Sequence, residues 1–409
     1  MIRSRPDPWA QRLIFAAIAC ERFAWYLVLA GLTLALQAHG KTQAQASQLY
    51  GLLLFAAYMT PLVGGYLAGL MPLRSAVAIG AAVLAVAYFA GASGYLLGML
   101  ALAAIGCGFF KPCLATLLGL LYPTNDPRKA QALGTYYLCI NLGALPSALV
   151  GGWLRQHYGW GAAYSAAGLG ALLALGMIAV AWRRLVPFRT DLEALVQTEI
   201  AAPQPTESWK TGHLVTILVG GVLFWAANQQ QGSTLTFWAA QRVDRMTSWG
   251  LVPAESFASL NPLFVALLTP VVGRWAAHGR SRLVAAMLVV AGSFAVLLGP
   301  GGATIGGLVL CYLLGALAEL LVSPLGMSTV TDLVPRRFAA VAMSLWLLTT
   351  SAGGYLAGVF GGFKAETAAE LTVGLACAGA VWFWARWPRA EQRSRTGEQP
   401  ALEAAEVTA

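Results

Sequence analysis

The sequence has little charge for its length. Only 11% of its 409 residues are Asp, Glu, Lys or Arg, whereas soluble globular proteins carry about 25%. Hydrophobic residues make up 58% of the chain, and the mean hydropathy is +0.66. These values exclude a water-soluble globular domain and a disordered chain. The apolar stretches are continuous and far longer than the ~10-residue alternating segments of a transmembrane β-barrel.

Cysteine and histidine are also scarce. The six cysteines lie within apolar stretches and lack the spacing of metal ligands, which excludes a disulfide scaffold and indicates small buried side chains. The four histidines fall at the ends of apolar segments, so none is placed in the interior to act as a general base near neutral pH. The sequence therefore predicts neither a metal site nor a cofactor, and an integral membrane enzyme is disfavoured.

Twelve apolar segments are long enough to cross a bilayer as α-helices, which takes ~20 residues each. A polar segment with three prolines separates the first six from the last six. The predicted spans are 12–37, 46–71, 75–92, 94–122, 130–155, 160–182, 213–240, 256–278, 282–299, 303–331, 336–362 and 367–386. The sequence thus predicts an all-α polytopic membrane protein with four parts: a six-helix bundle (1–182), a cytoplasmic linker (183–212), a second six-helix bundle (213–386) and a polar cytoplasmic tail (387–409).

Basic residues are distributed unevenly between the two sides of these spans. Of the 26 Lys and Arg residues, nineteen fall on the side that bears both termini, and five fall on the opposite side, namely Lys41, Arg155, Arg242, Arg245 and Lys364. Because cytoplasmic segments of membrane proteins are enriched in basic residues, both termini are predicted to be cytoplasmic, with a bacterial inner membrane as the expected location. The excess of basic residues on the cytoplasmic side then accounts for the net charge of +9, and no nucleic-acid partner is expected.

Four charged residues lie well within the predicted spans, namely Glu21, Arg22, Lys111 and Glu319. Each costs at least ~2.5–3.5 kcal/mol in a bilayer, so a substrate or proton pathway is favoured over a purely structural ion-pair network. Arginine can bind a carboxylate through two hydrogen bonds, and a buried carboxylate can carry a proton. Opposite charges in one cavity would suit a zwitterion, with Arg22 and Lys111 at one end and Glu319 at the other.

Motifs in the first half of the chain resemble those of the proton-coupled oligopeptide transporters, a branch of the major facilitator superfamily. Residues 21–26, E-R-F-A-W-Y, are similar to the first-helix motif E-x-x-E-R-F-x-Y-Y. Residues 106–112, G-C-G-F-F-K-P, match the fourth-helix motif G-x-G-x-x-K-P, and residues 137–143, Y-L-C-I-N-L-G, match Y-x-x-I-N-x-G on the fifth.

The second half carries further matches in the order that the family has them. They are F-W-A-A-N-Q-Q at 224–230, N-P at 261–262, E-L-L-V-S-P at 319–324 and Trp346. Each motif is weak evidence by itself, but seven of them occur in order between about residues 12 and 360. The chain is therefore identified as a short, divergent member of this family.

The resemblance implies the major facilitator fold, in which 12 transmembrane helices form two six-helix bundles that alternate access to a central site. By resemblance, Arg22 and Lys111 serve the peptide carboxylate and the coupling network, and Glu319 serves the amino terminus. The residues expected to line the pocket are Tyr26, Tyr58, Asn141, Trp225, Asn261 and Trp346. Proton coupling is expected to involve Glu21, Glu319 and Lys111.

The chain departs from the family pattern at several acidic positions. Ile18 stands at the first glutamate of the first-helix motif, and Gly69 stands where an aspartate is expected near the end of the second helix. Asn228 and Gln229 occupy the part of the seventh helix where relatives often carry an acid. Proton coupling is therefore less firmly predicted than family membership.

These losses also bear on the partner of Lys111. An unpaired buried lysine is costly and tends to lose its proton. Glu21 and Arg22 are adjacent, so their side chains are offset by ~100° around a helix and each is expected to find a partner on another span. We therefore expect Glu21 to pair with Lys111 and to leave Arg22 available for the ligand.

The function predicted from these residues is secondary active transport of di- or tripeptides, or peptide-like zwitterions, by alternating access and coupled to proton symport. The substrate, protons and the lipid bilayer are the expected partners, and a monomer is expected to suffice. An alternative is a carrier or exporter of another peptide-like or drug-like substrate with weak or no proton coupling. The missing acids favour that alternative, and the retained Arg22, Lys111 and Glu319 oppose it. A receptor or scaffold without transport is disfavoured, because four buried charges persist.

Overall fold

The chain was analysed as a computed structural model. The structure describes residues 7–68, 70–122, 126–185, 210–272, 279–334 and 338–387. Gly69, most of the predicted 183–212 linker and the predicted tail beyond residue 387 lie outside the described residues.

The described residues of the first half of the chain form five α-helices. Their bounds are α1 Pro8–Ala38, α2 Gln43–Ala68, α3 Leu73–Ala92, α4 Leu96–Gly119 and α5 Pro127–Ala181. The long α5 is broken at Gly159, whose φ of 83° and ψ of 177° are readily adopted only by glycine. The break separates two arms, 127–158 and 160–181, which correspond to the fifth and sixth predicted spans.

Within its described residues, the second half contains seven α-helices, two 3₁₀ helices and one small hairpin. The α-helices are α6 Thr211–Asn228, α7 Thr234–Gln241, α8 Leu260–Val272, α9 Gly279–Leu298, α10 Ile305–Asp332, α11 Ala339–Phe360 and α12 Ala365–Arg386. The 3₁₀ helices are Gln229–Gly232 and Ala254–Ser259. The strands β1 (Met246–Thr247) and β2 (Gly250–Leu251) pair antiparallel.

The predicted continuous span 213–240 is interrupted in the structure. The chain leaves α-helical geometry at Gln229–Gly232 and resumes it at Thr234. Here the Gln230 side chain bonds the Ala226 carbonyl and the Thr234 hydroxyl. Local side-chain bonds of this kind compete with the regular helical ladder, and hydropathy alone did not reveal the break.

Two helices begin with the same local signal, an aspartate followed by proline. Asp7 accepts hydrogen bonds from the backbone N–H groups of Trp9 and Ala10, and Asp126 accepts one from that of Arg128. Proline suits the first helical position because its missing N–H would have no partner there. The hydrogen bonds that Arg128 donates also hold the pKa of the Asp126 carboxyl below its usual range. These caps fix where α1 and α5 begin.

Buried apolar side chains form separate clusters in the two halves. One cluster draws on residues from Ala10 to Leu185 with Phe237 added, and another draws on residues from Leu214 to Trp387. This separation is consistent with the predicted bundles 1–182 and 213–386. Nine helical segments within the described residues are long and apolar enough to cross a membrane.

The helical assembly has two ends, which are distinguished by the helix termini and connections that lie there. The terminal end is the one where α1 begins and α12 ends, and the distal end is the one that bears the connections after α1 and α11. Asp7 bonds the Arg184 side chain at the terminal end. At the distal end, Gln43 at the start of α2 bonds the Phe363 carbonyl just after α11. The helices of both halves therefore extend between the same two ends of the molecule.

Candidate functional site

A cavity of about 160 Å³ lies between the two halves. Residues from α1, α2, α5, α6, α8, α10 and the Gln229–Gly232 segment line it. Five residues predicted for the pocket are among them, namely Tyr26, Tyr58, Trp225, Asn261 and Glu319. The structure therefore brings both aromatic and charged members of the predicted site together.

Glu319 is the acidic group of this cavity, and amides surround it. The Asn261 side chain donates to Glu319 Oε2 at 3.3 Å, and Gln231 Nε2 donates to Asn261 Oδ1 at 3.4 Å. Asn261 stands at the start of α8, whereas Gln231 lies in the 3₁₀ segment that follows α6. Three elements of the second half thus position one carboxylate at the cavity wall.

The segment of α10 just after Glu319 contains a proline. Pro324 has no N–H to donate to the carbonyl of Leu320. Arg282 of α9 compensates, since its Nη2 donates to the Leu320 carbonyl at 3.1 Å and its Nε donates to the Leu321 carbonyl at 3.0 Å. A charged side chain therefore supports the backbone next to Glu319.

Glu21 and Arg22 form a buried ion pair with each other. Arg22 Nε lies 2.5 Å from Glu21 Oε2 and Arg22 Nη2 lies 2.5 Å from Glu21 Oε1. Glu21 is 0% exposed and Arg22 is 5% exposed. The expectation that each would find a partner on another span is wrong here, because the long arginine side chain reaches back to form a bidentate contact with its neighbour.

Lys111 contacts aromatic rings instead of the expected carboxylate. Its Nζ lies 4.4 Å from the ring centroid of Trp25 and 5.2 Å from that of Tyr58. The expected pair of Glu21 with Lys111 is wrong in this structure, since the Glu21 oxygens bond Arg22. Ring faces attract a cation through their quadrupole. Trp25 and Tyr58 also line the cavity, so the ammonium lies next to its wall.

Four residues predicted to bind the substrate are not among the described lining residues, namely Arg22, Lys111, Asn141 and Trp346. Trp346 is 2% exposed and packs between α6 and α10, where a Cβ added to Gly221 or Gly326 would lie 2.8 or 2.2 Å from its ring. The two glycines form the slot that takes this ring into the core of the second half, which corrects the expectation for Trp346. Asn141 donates to the Tyr137 carbonyl of its own helix at 3.1 Å and is not among the described lining residues.

Sequence reasoning missed several lining residues. Trp25, Tyr50 and Gln231 line the cavity but were not assigned to it. Gln231 follows the matched stretch 224–230 and is one of four consecutive amides in an apolar segment, which was an available signal. Trp25 lies within the matched motif 21–26, which was a second available signal. Tyr50 offered none, because an aromatic residue in a membrane span is as compatible with core packing as with a pocket.

The distal side of the cavity is closed by contacts between the two halves. Arg155 near the end of the first arm of α5 forms a bidentate ion pair with Glu255, which is 2% exposed in the 3₁₀ helix before α8. Along α2 and α11, a Cβ added to Gly358 would lie only 2.5 Å from the Cα of Gly51. Together, the ion pair and the glycine contact form the distal seal.

The hydrogen bonds between the halves are confined to the distal part of the described chain. The contact nearest the middle along α2 and α11 is the bond from the Ser351 hydroxyl to the Phe55 carbonyl, 2.9 Å long. No hydrogen bond between the halves is found nearer the terminal end within the described ranges. The contacts that the structure describes between the halves therefore close the distal side of the cavity.

Comparison with known proteins identifies the family. The model of the Major Facilitator Superfamily matches residues 14–358. A peptide transporter of Yersinia enterocolitica is 26% identical, over 87% of this chain and 88% of its own length. The dipeptide and tripeptide permease A of Serratia proteamaculans is 27% identical, over 88% of this chain and 84% of its own length.

Solved structures agree with this assignment at the level of the fold. A crystal structure of a peptide transporter POT with sulfate has a TM-score of 0.82 at 22% identity and covers 94% of each chain. A POT family transporter with 5-aminolevulinic acid has a TM-score of 0.79 at 20% identity, over 92% of this chain and 94% of its own. The predicted all-α membrane fold is confirmed. The chain belongs to the Major Facilitator Superfamily, and its predicted resemblance to the oligopeptide transporter branch is confirmed.

Proposed function

We propose that the protein is a secondary transporter that moves di- and tripeptides, or peptide-like zwitterions, by alternating access. The observation that carries this proposal is one carboxylate, Glu319, held by Asn261 in a cavity that is closed at one end. Relatives named as peptide transporters and as dipeptide and tripeptide permeases, matched over most of their length, support it. A transporter rather than an enzyme is the consistent assignment.

The charges of the site suit the two ends of a peptide. Glu319 would take the ammonium group, and Lys111, beside Trp25 and Tyr58, would take the carboxylate. Side chains of different peptides would meet the ring faces, because aromatic surfaces give contacts that tolerate varied apolar groups. In this proposal Arg22 acts on the substrate indirectly, through Glu21 and the charge balance near Lys111.

Proton coupling is part of the proposal. Glu319 is a candidate proton carrier because substrate binding changes the partners of a carboxylate whose present contacts are neutral amides. Glu21 and Lys111 are the other candidates, and a change in the Glu21–Arg22 pair would alter the field at Lys111. The substrate, the proton and the bilayer are then the only partners required, and a monomer suffices.

The proposed location is a bacterial inner membrane with both termini cytoplasmic. The unequal distribution of basic residues between the two sides supports this orientation. The terminal end of the cavity would then face the cytoplasm and the distal seal would face outward. Cleavage of a tag after residue 409 in right-side-out and inverted vesicles tests the orientation.

A carrier with weak or no proton coupling is the second candidate, and specific residues favour it. Ile18 and Gln229 are neutral where relatives carry acids, and Lys111 has no carboxylate within 4.0 Å among the described residues. Such a protein could carry the same class of substrate down its gradient or export a peptide-like metabolite. Neither candidate alters the proposed roles of Glu319 and Lys111 at the substrate.

The deciding experiment is uptake of labelled dialanine into proteoliposomes with and without an inward proton gradient. Accumulation that needs the gradient supports the coupled transporter, and equilibration without accumulation supports the second candidate. Glu319→Gln is expected to abolish accumulation, with Glu370→Gln of α12 as a carboxylate control far from the described cavity lining. Absence of dialanine uptake by folded wild-type protein would overturn the peptide proposal.

A further inference from the structure

Two buried polar groups at the cavity wall have no hydrogen-bond partner among the described residues. They are the indole Nε1 of Trp225 and the amide Oδ1 of Asn228. Trp225 is 7% exposed, Asn228 is 5% exposed, and both residues line the cavity. Buried polar groups are nearly always paired in proteins. Two unpartnered groups on one wall therefore point to something that binds between them.

The two groups lie on one face of one helix and have opposite hydrogen-bonding character. Residues three apart on a helix are neighbours on its surface, and Trp225 and Asn228 occupy the last turn of α6. The indole nitrogen can only donate, and the amide oxygen can only accept. A ligand that lies between the two groups must present an acceptor to Trp225 and a donor, directed the opposite way, to Asn228, as the C=O and N–H of a trans peptide group are.

Neighbouring contacts explain why Asn228 Oδ1 remains available. The Asn228 side chain also interacts with the carboxylate of Glu319, and a carboxylate accepts hydrogen bonds, so the Asn228 Nδ2 atom faces it. Gln231 is occupied by Asn261. Gly315, one turn before Glu319 on α10, has no side chain to cover the amide, and a Cβ added there would lie 3.7 Å from Asn228 Oδ1.

A peptide group has the required pattern, since it carries one C=O acceptor and one N–H donor. We propose that Trp225 Nε1 donates to the carbonyl of the first peptide bond of the substrate and that Asn228 Oδ1 accepts from its N–H. This inference rests on the proposed function and deepens it. Glu319 beside Asn228 sets the ammonium end of the substrate at the first residue, so the adjacent peptide bond is the one recognised.

The inference separates recognition of a peptide bond from recognition of two opposite charges. Diglycine and 5-aminolevulinic acid have the same chain length, an ammonium, a carbonyl and a carboxylate. They differ in one group, because 5-aminolevulinic acid has CH₂ where diglycine has the peptide N–H. Only diglycine can donate to Asn228 Oδ1, whereas both ligands can accept from Trp225 Nε1.

The test is a set of dissociation constants for both ligands, measured by isothermal titration calorimetry on the solubilised full-length protein. Asn228→Leu is expected to raise the dissociation constant of diglycine roughly three- to tenfold more than that of 5-aminolevulinic acid, as for loss of one hydrogen bond. Trp225→Phe is expected to raise the dissociation constants of both ligands by similar factors. Trp153→Phe, at a tryptophan that is 51% exposed and outside the cavity lining, is the matched control and leaves both constants unchanged.

The ratio of the two constants does not depend on how much of a variant is folded, so a loss of stability does not obscure the result. Equal weakening of both ligands by Asn228→Leu would mean that Asn228 acts only through Glu319, and would overturn the inference while the proposed function stands. Unchanged binding in Trp225→Phe would also overturn it. If wild-type protein binds neither ligand, the proposed function and this inference fail together.

Discussion

Glu21 and Arg22 illustrate how a buried charge pair can be local. Both side chains are almost fully buried, and their bidentate contact is formed between consecutive residues of α1. The pair leaves Lys111 to the rings of Trp25 and Tyr58. The charge of the site therefore depends on which basic residue, Arg22 or Lys111, pairs with the Glu21 carboxylate.

The first prediction concerns the stability of this pair. Arg22→Ala is expected to destabilise the protein by about 3–5 kcal/mol, because it leaves the Glu21 carboxylate buried without a partner. Adding Glu21→Gln to Arg22→Ala should restore much of that loss. Thermal unfolding of the purified variants, followed by tryptophan fluorescence, measures both effects.

The same approach tests the partner of Lys111. Lys111→Met and Glu21→Gln should have additive effects on stability, within about 0.5 kcal/mol, since the two side chains do not bond each other. The matched comparison is the cycle for Arg22 and Glu21, which should be strongly non-additive. A large coupling energy between Lys111 and Glu21 would contradict the arrangement in this structure.

At the scale of elements, α10 contains a proline, Pro324, shortly after Glu319. The Leu320 and Leu321 carbonyls accept hydrogen bonds from Arg282 of α9. These bonds link the backbone next to Glu319 to a neighbouring helix. Prolines in membrane helices are tolerated where another group satisfies the freed carbonyls in this way.

The second prediction is that Arg282→Ala lowers both stability and transport. Hydrogen bonds from a charged donor contribute about 1.5–3 kcal/mol, and their loss would loosen the backbone that positions Glu319. Initial rates of dialanine uptake and unfolding temperatures measure the effect. Arg280→Ala is the matched control, since Arg280 belongs to the same helix and lies over the Trp384 ring. Equal losses in both variants would contradict a specific role for Arg282.

The third prediction concerns the glycine contact between α2 and α11. Gly358→Ala should hinder closure of the distal side, because the added Cβ would lie 2.5 Å from both the Gly51 Cα and the Ser47 carbonyl oxygen. We expect lower uptake with the protein still folded, and increased labelling of a cysteine introduced into the cavity by a reagent added from the distal side. Gly374→Ala in α12, where nothing lies within 4 Å of the added Cβ, should behave like the wild type. Unchanged labelling in Gly358→Ala would contradict the prediction.

At the scale of the whole molecule, the two halves meet through the distal seal. The ion pair of Arg155 and Glu255 connects α5 to the 3₁₀ helix before α8. Alternating access requires the halves to separate at this end and to meet at the other. The pair must therefore break in each cycle, and its strength sets how readily the distal side opens.

The fourth prediction is that Arg155→Gln shifts the protein towards a distally open state. Glu255 is 2% exposed, and loss of one partner of a buried pair costs about 3–5 kcal/mol, which would change the ratio of the two states by about a hundredfold or more. Distances between spin labels placed on the distal loops of the two halves measure the populations. The charge reversal of both residues together, Arg155→Glu with Glu255→Arg, should restore closure. Failure of Arg155→Gln to lengthen these distances would show that the other contacts between the halves close the distal side without the ion pair.

The sequence by itself determined the class of the protein, the position of most spans and the identity of the charged residues within those spans. These properties depend on the free energy of transferring side chains and backbone from water into an apolar medium. That free energy is set within each segment, so it can be estimated from the composition and length of the segment. The motifs that include Glu319, Asn261 and Lys111 also placed these residues at or beside one cavity wall. Only the length of an apolar segment, not its internal regularity, was predictable, so the break at Gln229–Gly232 was missed.

The tertiary structure decided which groups meet. Glu21 bonds Arg22 and not Lys111, and Trp346 enters a slot formed by two glycines while Trp25 lines the cavity. Whether a hydrogen bond or ion pair forms depends on differences of a few tenths of an ångström in the distance between two atoms, and on competition among several nearby partners. Those distances are set by how the helices pack against one another, which the order of residues along one helix does not specify.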